Sequence, residues 1–170
     1  MATYVALLRA VNVGGTRKLP MPTLVKICEA SGFEQVRTYI ASGNAIFRSS
    51  LRERKIKALL EDRLASYAGR PVGVLVRTAG EMAAVLAANP FPAAAPNRTV
   101  AIFLDAAAPP GVLEAVRGRR SEELALGTRE IYVAYAAGIA ASKLVIPAAA
   151  AGTARNINTV AKLAAMAAGN

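Results

Sequence analysis

The apolar positions along the chain fall into short runs that switch between strand and helix periodicity. The nearly continuous apolar run TYVALLRAV over residues 3–11 is typical of a central strand. The stretch MPTLVKICEASG, residues 21–32, places its apolar side chains on one helical face and ends in a glycine. Residues 35–49, QVRTYIASGNAIFRS, predict a hairpin that turns at Gly43 and Asn44. The chain is therefore predicted to begin strand, helix, strand, strand.

Two further elements complete this first pattern. Residues 51–68 predict an amphipathic helix, which Ser50 caps and Gly69 ends. The predicted inner stripe of this helix consists of Ile56, Leu59, Leu60, Leu64 and Tyr67. The run PVGVLVRT, residues 71–78, predicts a fourth strand. The order β-α-β-β-α-β is that of a ferredoxin-like half.

The second part of the chain repeats this layout less completely. Residues 79–97 predict a connecting helix and a linker rich in proline and alanine, and residues 98–170 predict the second half. The elements predicted in that half are a strand at 98–106, a helix around 109–118, a hairpin at 122–136, a short helix from 142 and a closing helix at 156–168. Its last strand is predicted to be lost or replaced by helix. We therefore expect an α+β fold of two ferredoxin-like halves, residues 1–78 and a degenerate 98–170, packed as one compact unit.

Composition removes several classes of chemistry. The chain has no histidine and one cysteine, Cys28, which lies on the apolar face of the first helix. Histidine-dependent nucleophiles, histidine or thiolate metal sites and an internal disulfide are therefore excluded. We expect a cytoplasmic protein without a cofactor, a metal or a membrane partner, because neither a secretory signal nor a strongly apolar span is evident.

Charge is distributed unevenly along the chain. The net charge is +10, and residues 1–78 hold 13 basic and five acidic residues, whereas residues 79–170 hold eight and six. A basic half can attract phosphate-rich partners such as nucleic acid. A generic solvated surface explains the same excess.

Three polar segments stand out as candidate binding residues. Arg9, Asn12, Gly14 and Gly15 follow the first strand, where backbone N–H groups can form an anion-binding concavity and Arg9 can add a guanidinium. An ordinary tight turn, with Arg9 paired to a local carboxylate, is the alternative.

The other two segments lie further along the chain. Ser42, Gly43 and Asn44 form the predicted hairpin turn, and all three residue types are common in turns. In TARNINTVAKL, Asn156 or Asn158 can cap the last helix, and Arg155 beside that helix end could complete an anion pocket. A capped helix with no ligand is the alternative.

The segments LLRAVNVGG, LPM, GFEQVRTYIASGNAIF and SKL…TARNINTVAKL resemble, in this order, the bacterial family called domain of unknown function 1697. The resemblance spans residues 3 to about 165, implies an α+β fold with two ferredoxin-like halves, and brings no assigned activity. The family motifs map onto Arg9, Asn12, Gly14 and Gly15, onto Tyr39, Ser42, Gly43 and Asn44, and onto Lys143, Arg155, Asn156, Asn158 and Thr159.

One position departs from the family pattern. The family usually has a tryptophan where this chain has Ile157. If that tryptophan stacks on a ligand, this protein binds the ligand weakly or binds another one. If the tryptophan belongs to the core, Ile157 is a smaller packing substitute.

The leading hypothesis is a protein that binds a phosphate-bearing ligand, either a nucleic acid or a nucleotide-like molecule. Arg9 and Arg155 would hold phosphate, and Asn12, Asn44 and Asn156 would orient the ligand. One alternative is an enzyme for a small anionic substrate that uses Lys143 or Tyr39 to move a proton. Another is that the polar motifs are structural and bind nothing.

Overall fold

The computed structural model describes residues 1–13 and 15–169, so that Gly14 lies outside the described residues. Within these residues the chain has an α+β fold with two four-stranded antiparallel sheets and four α-helices. It divides into two compact units, Met1–Met82 with Leu163–Asn170 and Ala83–Lys162. None of the helices described is long and apolar enough to cross a membrane.

The first unit has the predicted order of elements. They are β1 (Ala2–Leu8), α1 (Met21–Ala30), β2 (Glu34–Thr38), β3 (Asn44–Ser49), α2 (Glu53–Ala68) and β4 (Val74–Thr78). The sheet order is β2-β3-β1-β4. Leu24 and Cys28 of α1 and Leu60 of α2 belong to the core that covers one face of this sheet. The β-α-β-β-α-β prediction is confirmed for these residues.

The remaining elements are the four strands of the second sheet and two helices. They are α3 (Ala79–Ala87), β5 (Thr99–Phe103), β6 (Glu123–Leu126), β7 (Glu130–Ala134), β8 (Thr153–Asn156) and α4 (Ile157–Ala167). The strand order is β6-β7-β5-β8, which repeats the order of the first sheet with each strand replaced by its counterpart. The strand pattern therefore recurs in full, although no α-helix is described between β5 and β6 or between β7 and β8.

Three predictions for the second half are wrong. The last strand is not lost, because Thr153–Asn156 pairs with β5 and places Arg155 opposite Ala101. The backbone hydrogen bonds to β5 stabilise this strand, and the sequence TARN has no apolar alternation from which a strand could be predicted. The segments around 109–118 and from 142 form turns and a bridge between Arg117 and Val145 instead of helices. Positive φ angles at two glycines in the first of these segments, 77° and 70°, are incompatible with a continuous helix.

The predicted turn and cap in the first half also need correction. Strand β3 begins at Asn44, and Thr38 pairs with Ala45, so the connection spans residues 39–43 instead of turning at Gly43-Asn44. Helix α2 begins at Glu53 after Arg52, and Ser50 does not cap it. Gly69 does end the helix in the left-handed conformation, as predicted, with a φ of 69°.

Candidate functional site

The first polar segment begins where β1 ends. The backbone N–H of Arg9 donates to the Gly73 carbonyl at 2.9 Å, which ties the end of β1 to the chain just before β4. A Cβ at Gly73 would lie 2.9 Å from the Arg9 Cδ, so the glycine leaves room for the arginine stem. Arg9 is half-buried at this point.

Asn12 organises the loop that follows. Its Oδ1 accepts from the Leu19 N–H at 2.8 Å, and its Nδ2 donates to the Leu19 carbonyl at 2.9 Å and the Ala41 carbonyl at 2.8 Å. Its φ of 53° is left-handed, a conformation that asparagine tolerates better than most residues. Because both the oxygen and the nitrogen of the Asn12 side chain are hydrogen-bonded to the backbone, Asn12 restrains the conformation of the loop.

The rest of this loop has an unusual backbone and an exposed, basic exterior. Ala10, Gly15 and Arg17 have φ angles of 52°, 76° and 54°. Non-glycine residues such as Ala10 and Arg17 cost free energy when held in this region, and such residues cluster at functional sites. Arg17 and Lys18 are exposed, and within the described residues neither side chain has a hydrogen bond or ion pair.

The second polar segment meets the first. The Leu8 N–H donates to the Gly43 carbonyl at 2.9 Å, and Gly43 has a φ of 91°. Asn44 is fully buried, and its Nδ2 donates to the Tyr39 carbonyl at 2.8 Å and to the Ser42 hydroxyl at 3.0 Å. The two segments therefore form one hydrogen-bonded arrangement at one end of the first sheet.

The third polar segment belongs to the other compact unit. Arg155 is 6% exposed, and its Nη1 donates to the Thr153 hydroxyl at 2.7 Å and the Ala154 carbonyl at 3.0 Å. Burial lowers the pKa of this guanidinium to about 10, which leaves it protonated at neutral pH. Asn156 accepts from the Thr159 N–H at 2.9 Å and so caps α4, as predicted. Lys143 is exposed.

The structure places Ile157 in the core. It is the first residue of α4 and is 8% exposed among the core residues. A buried aliphatic side chain therefore occupies the position at which the resemblance implies a tryptophan.

Sequence reasoning missed the surface that adjoins the first segment. A shallow depression of about 10 Å³ lies there, lined by Val11, Arg17, Lys18, Leu19, Leu64, Tyr67, Ala68, Arg70 and Val72. Tyr67 was predicted to lie on the inner stripe of α2, which is wrong, because its side chain is 49% exposed. No local signal in the sequence predicts that Val11 and residues 17–19 lie beside residues 64–72, because this proximity arises from tertiary packing.

The electrostatics of this depression favour anions. Asp and Glu are absent from residues 1–28 and from residues 63–80, which include both lining segments. Helix α2 ends here, and a helix C-terminus carries about half a negative elementary charge. The three full positive charges of Arg17, Lys18 and Arg70 outweigh that partial charge.

A second residue missed from the sequence is Arg77, which is 1% exposed. It lies in β4 opposite Val5 of β1, as Arg155 lies in β8 opposite Ala101 of β5. The two arginines thus occupy corresponding strands of the two sheets. An arginine within the apolar run VGVLVRT is itself out of pattern, and that exception was the available signal.

Comparison with known proteins identifies the family of this chain. The model of a family described as "Protein of unknown function (DUF1697)" matches residues 1–132. The chain belongs to this family. Lys143, Arg155 and Asn156 lie beyond the residues that the DUF1697 model matches.

A solved structure resembles the whole fold. It is the conserved bacterial protein SP0830 from Streptococcus pneumoniae, which is 23% identical, with a TM-score of 0.78 and coverage of 98% of both chains. At this identity the likeness supports the fold of this DUF1697 member and not an activity. None of the curated proteins compared with the chain matches it.

Proposed function

We propose that this DUF1697 protein binds a phosphate-bearing ligand, and that the ligand is single-stranded nucleic acid. The contact would be made by Arg17, Lys18, Tyr67 and Arg70, which we call the basic surface. The observation that carries the proposal is the exposed Tyr67 ring on the rim of a depression that is also lined by three cationic side chains.

The chemistry of these four side chains matches that of a single strand. Nonspecific single-strand binding combines positive charge along the phosphates with aromatic rings on which bases stack. A paired duplex offers no free base face to Tyr67, whereas an unpaired base does. Arg9, which lies against Gly73 next to Val72 of the depression, is proposed as a further phosphate contact.

The asparagine and glycine motifs take a supporting part in this proposal. Asn12 and Asn44 use their side-chain amides on backbone and hydroxyl oxygens, which supports a role in holding the loop that presents Arg17 and Lys18. Gly15 and Ser42 belong to the same loops. Lys143, Arg155 and Asn156 belong to the second unit, and any ligand contact that they make is a separate proposal.

The direct test measures binding of a fluorescein-labelled single-stranded oligonucleotide by anisotropy, beside the same sequence as a duplex. Replacing Tyr67 with leucine removes the stacking face and should weaken single-strand binding by about 1–3 kcal/mol, or roughly 5- to 150-fold. Tyr67→Phe keeps the ring and should bind within about twofold of the wild type. Duplex binding should change little in either variant.

Circular dichroism and thermal unfolding of both variants establish that the fold is intact. Wild-type affinity of Tyr67→Leu for the single strand would refute stacking at this position. Equal losses in Tyr67→Leu and Tyr67→Phe would show that the hydroxyl, rather than the ring, makes the contact.

We further propose that residues 1–78 and residues 98–170 are each a ferredoxin-like half, the second degenerate, and that the protein works in the cytoplasm. The recurring strand order and the corresponding positions of Arg77 and Arg155 support the first point. The lone, buried Cys28, which a reducing compartment would leave as a thiol, supports the second.

A further inference from the structure

A larger cavity, of about 470 Å³, lies within the unit Ala83–Lys162 and takes no part in the proposed nucleic-acid contact. This volume is in the range of small-molecule sites. The cavity lies between the segment before β5, the start of β6 and the end of β7. Its lining consists of residues 90–95, Arg98, Ser121, Glu123 and residues 134–136.

The wall formed by the segment before β5 is held in place by its own hydrogen bonds. The Phe91 N–H donates to the Asn89 side-chain oxygen at 3.0 Å, and the Ala94 N–H donates to the Phe91 carbonyl at 3.1 Å. The Tyr135 N–H donates to the Arg98 carbonyl at 2.8 Å and ties this segment to the end of β7. Prolines at 90, 92 and 96 restrict the backbone further. The cavity is therefore largely preformed.

Two opposite charges line the cavity at separate places. Glu123 of β6 lies opposite Ala134 of β7, which lies opposite Thr99 of β5, the residue after Arg98. Two strand spacings therefore separate the backbones of the charged residues by about 10 Å. Within the described residues the Glu123 carboxylate makes no hydrogen bond or ion pair, and Arg98 donates from Nη1 to the Ala136 carbonyl at 3.1 Å. Arg98 keeps further N–H donors for a ligand.

The remaining wall is apolar and aromatic. Phe91 and Tyr135 supply rings, and alanines and prolines supply most of the other contacts. Burial and the charge of Glu122 raise the pKa of Tyr135, so its hydroxyl is a neutral donor at physiological pH. A ligand that fits this wall needs an apolar body as well as charged ends.

We propose that this cavity binds a short zwitterionic peptide of the dipeptide class with an apolar side chain. The peptide carboxylate would pair with Arg98, its ammonium group with Glu123, and its side chain would pack against Phe91 and Tyr135. Two residues extend over about 7 Å. That span suits charges held apart across two strand spacings better than the adjacent charges of a free amino acid do.

The test titrates glycyl-phenylalanine into the full chain and follows binding by isothermal calorimetry and by amide chemical shifts. Saturable binding with one peptide per chain and shifts at residues 90–98 and 134–136 are expected. The same dipeptide with an acetylated N-terminus and an amidated C-terminus should bind at least about tenfold more weakly. Phenylalanine alone should also bind more weakly than the dipeptide.

Substitutions test separately whether Glu123 and Arg98 bind the two charged ends of the peptide. Glu123→Gln should weaken binding of the free dipeptide about tenfold. It should leave the affinity for the N-acetylated dipeptide, which keeps its free carboxylate, unchanged. Glu114→Gln removes an exposed carboxylate elsewhere in the unit and should change neither. Arg98→Lys retains the positive charge, so it should bind better than Arg98→Met.

Absence of saturable binding at millimolar dipeptide would overturn the proposal. Equal affinity for the free and doubly blocked dipeptides would do the same, because it would show that the charged ends are not recognised. Loss of binding in Glu123→Gln together with a lowered unfolding temperature would leave the blocked peptides as the deciding measurement.

Discussion

The Nδ2 atom of Asn12 donates a hydrogen bond of 2.8 Å to the carbonyl of Ala41, across 29 positions of sequence. With the Oδ1 and Nδ2 bonds to Leu19, this contact fixes the loop after β1 against the turn after β2. The basic side chains at 17 and 18 project from the loop that Asn12 closes. In our account, family motifs that look like ligand contacts therefore form the support for a neighbouring surface.

Replacing Asn12 with alanine should lower the free energy of unfolding by about 3–4 kcal/mol. The change removes three hydrogen bonds, each worth about 1 kcal/mol net, and places alanine at a left-handed φ. Asn12→Gly relieves the backbone strain without restoring the bonds, so urea unfolding should place it between the wild type and alanine. Equal stability of wild type and Asn12→Ala would contradict the supporting role.

Gly43 should be more sensitive to substitution than a glycine of similar backbone conformation in open space. A Cβ at Gly43 would lie 2.7 Å from Val11 Cγ2 and 3.0 Å from Leu8 Cβ. Gly32 has a φ of 87°, and a Cβ there would meet nothing within 4 Å. Gly32→Ala should therefore cost about 1–2 kcal/mol for the backbone alone, and Gly43→Ala clearly more. Equal costs in chemical unfolding would show that the loop yields to the added methyl.

Cys28 should be inert toward thiol reagents while the protein is folded. It is fully buried on α1, and burial raises its pKa to about 12. Ellman's reagent at pH 8 should therefore react only at the rate at which the fold opens, and rapidly in urea. Immediate reaction of the native protein would contradict the packing of α1 on the first sheet.

Glu122 should stabilise the second unit in a pH-dependent way. The backbone N–H of Arg120 and the Ser142 hydroxyl donate to its carboxylate and lower its pKa from the ordinary value of 4.5. Because the folded pKa is the lower one, the stabilisation is fully present above pH 4.5 and is lost as pH falls through the folded pKa. The urea midpoints of wild type and Glu122→Gln should therefore converge as pH falls from 6 toward 3. A constant difference would show that the glutamate acts through shape alone.

The first half of the fold can be predicted from sequence because each element is indicated by a local pattern of residues. The apolar run before Arg9, the helical faces around Leu24 and Leu60, and Gly69 at a helix end each identify an element without tertiary information. The strand at Thr153–Asn156 lacks such a signal, because β5 stabilises it by pairing and three of its four side chains are polar.

The candidate site is harder to predict from sequence because it also depends on tertiary contacts. The motif residues at 9–12 and 42–44 do meet, since both segments lie at the same end of the first sheet, but the depression beside them also needs Tyr67 and Arg70. Helical periodicity places Tyr67 with the buried stripe, but Tyr67 lies in the last turn of α2 and is 49% exposed.

The salt dependence of single-strand binding tests the basic surface most directly. Each phosphate neutralised on a single strand contributes about 0.7 to the slope of log affinity against log salt. Arg17→Ala with Lys18→Ala should lower the magnitude of that slope by about 1.4. The matched control, Arg54→Ala with Lys55→Ala, removes two exposed charges that lie about 18 Å or more from Tyr67 along α2. This control should leave the slope unchanged. Equal slopes for the wild type and the first pair would contradict phosphate binding at this surface.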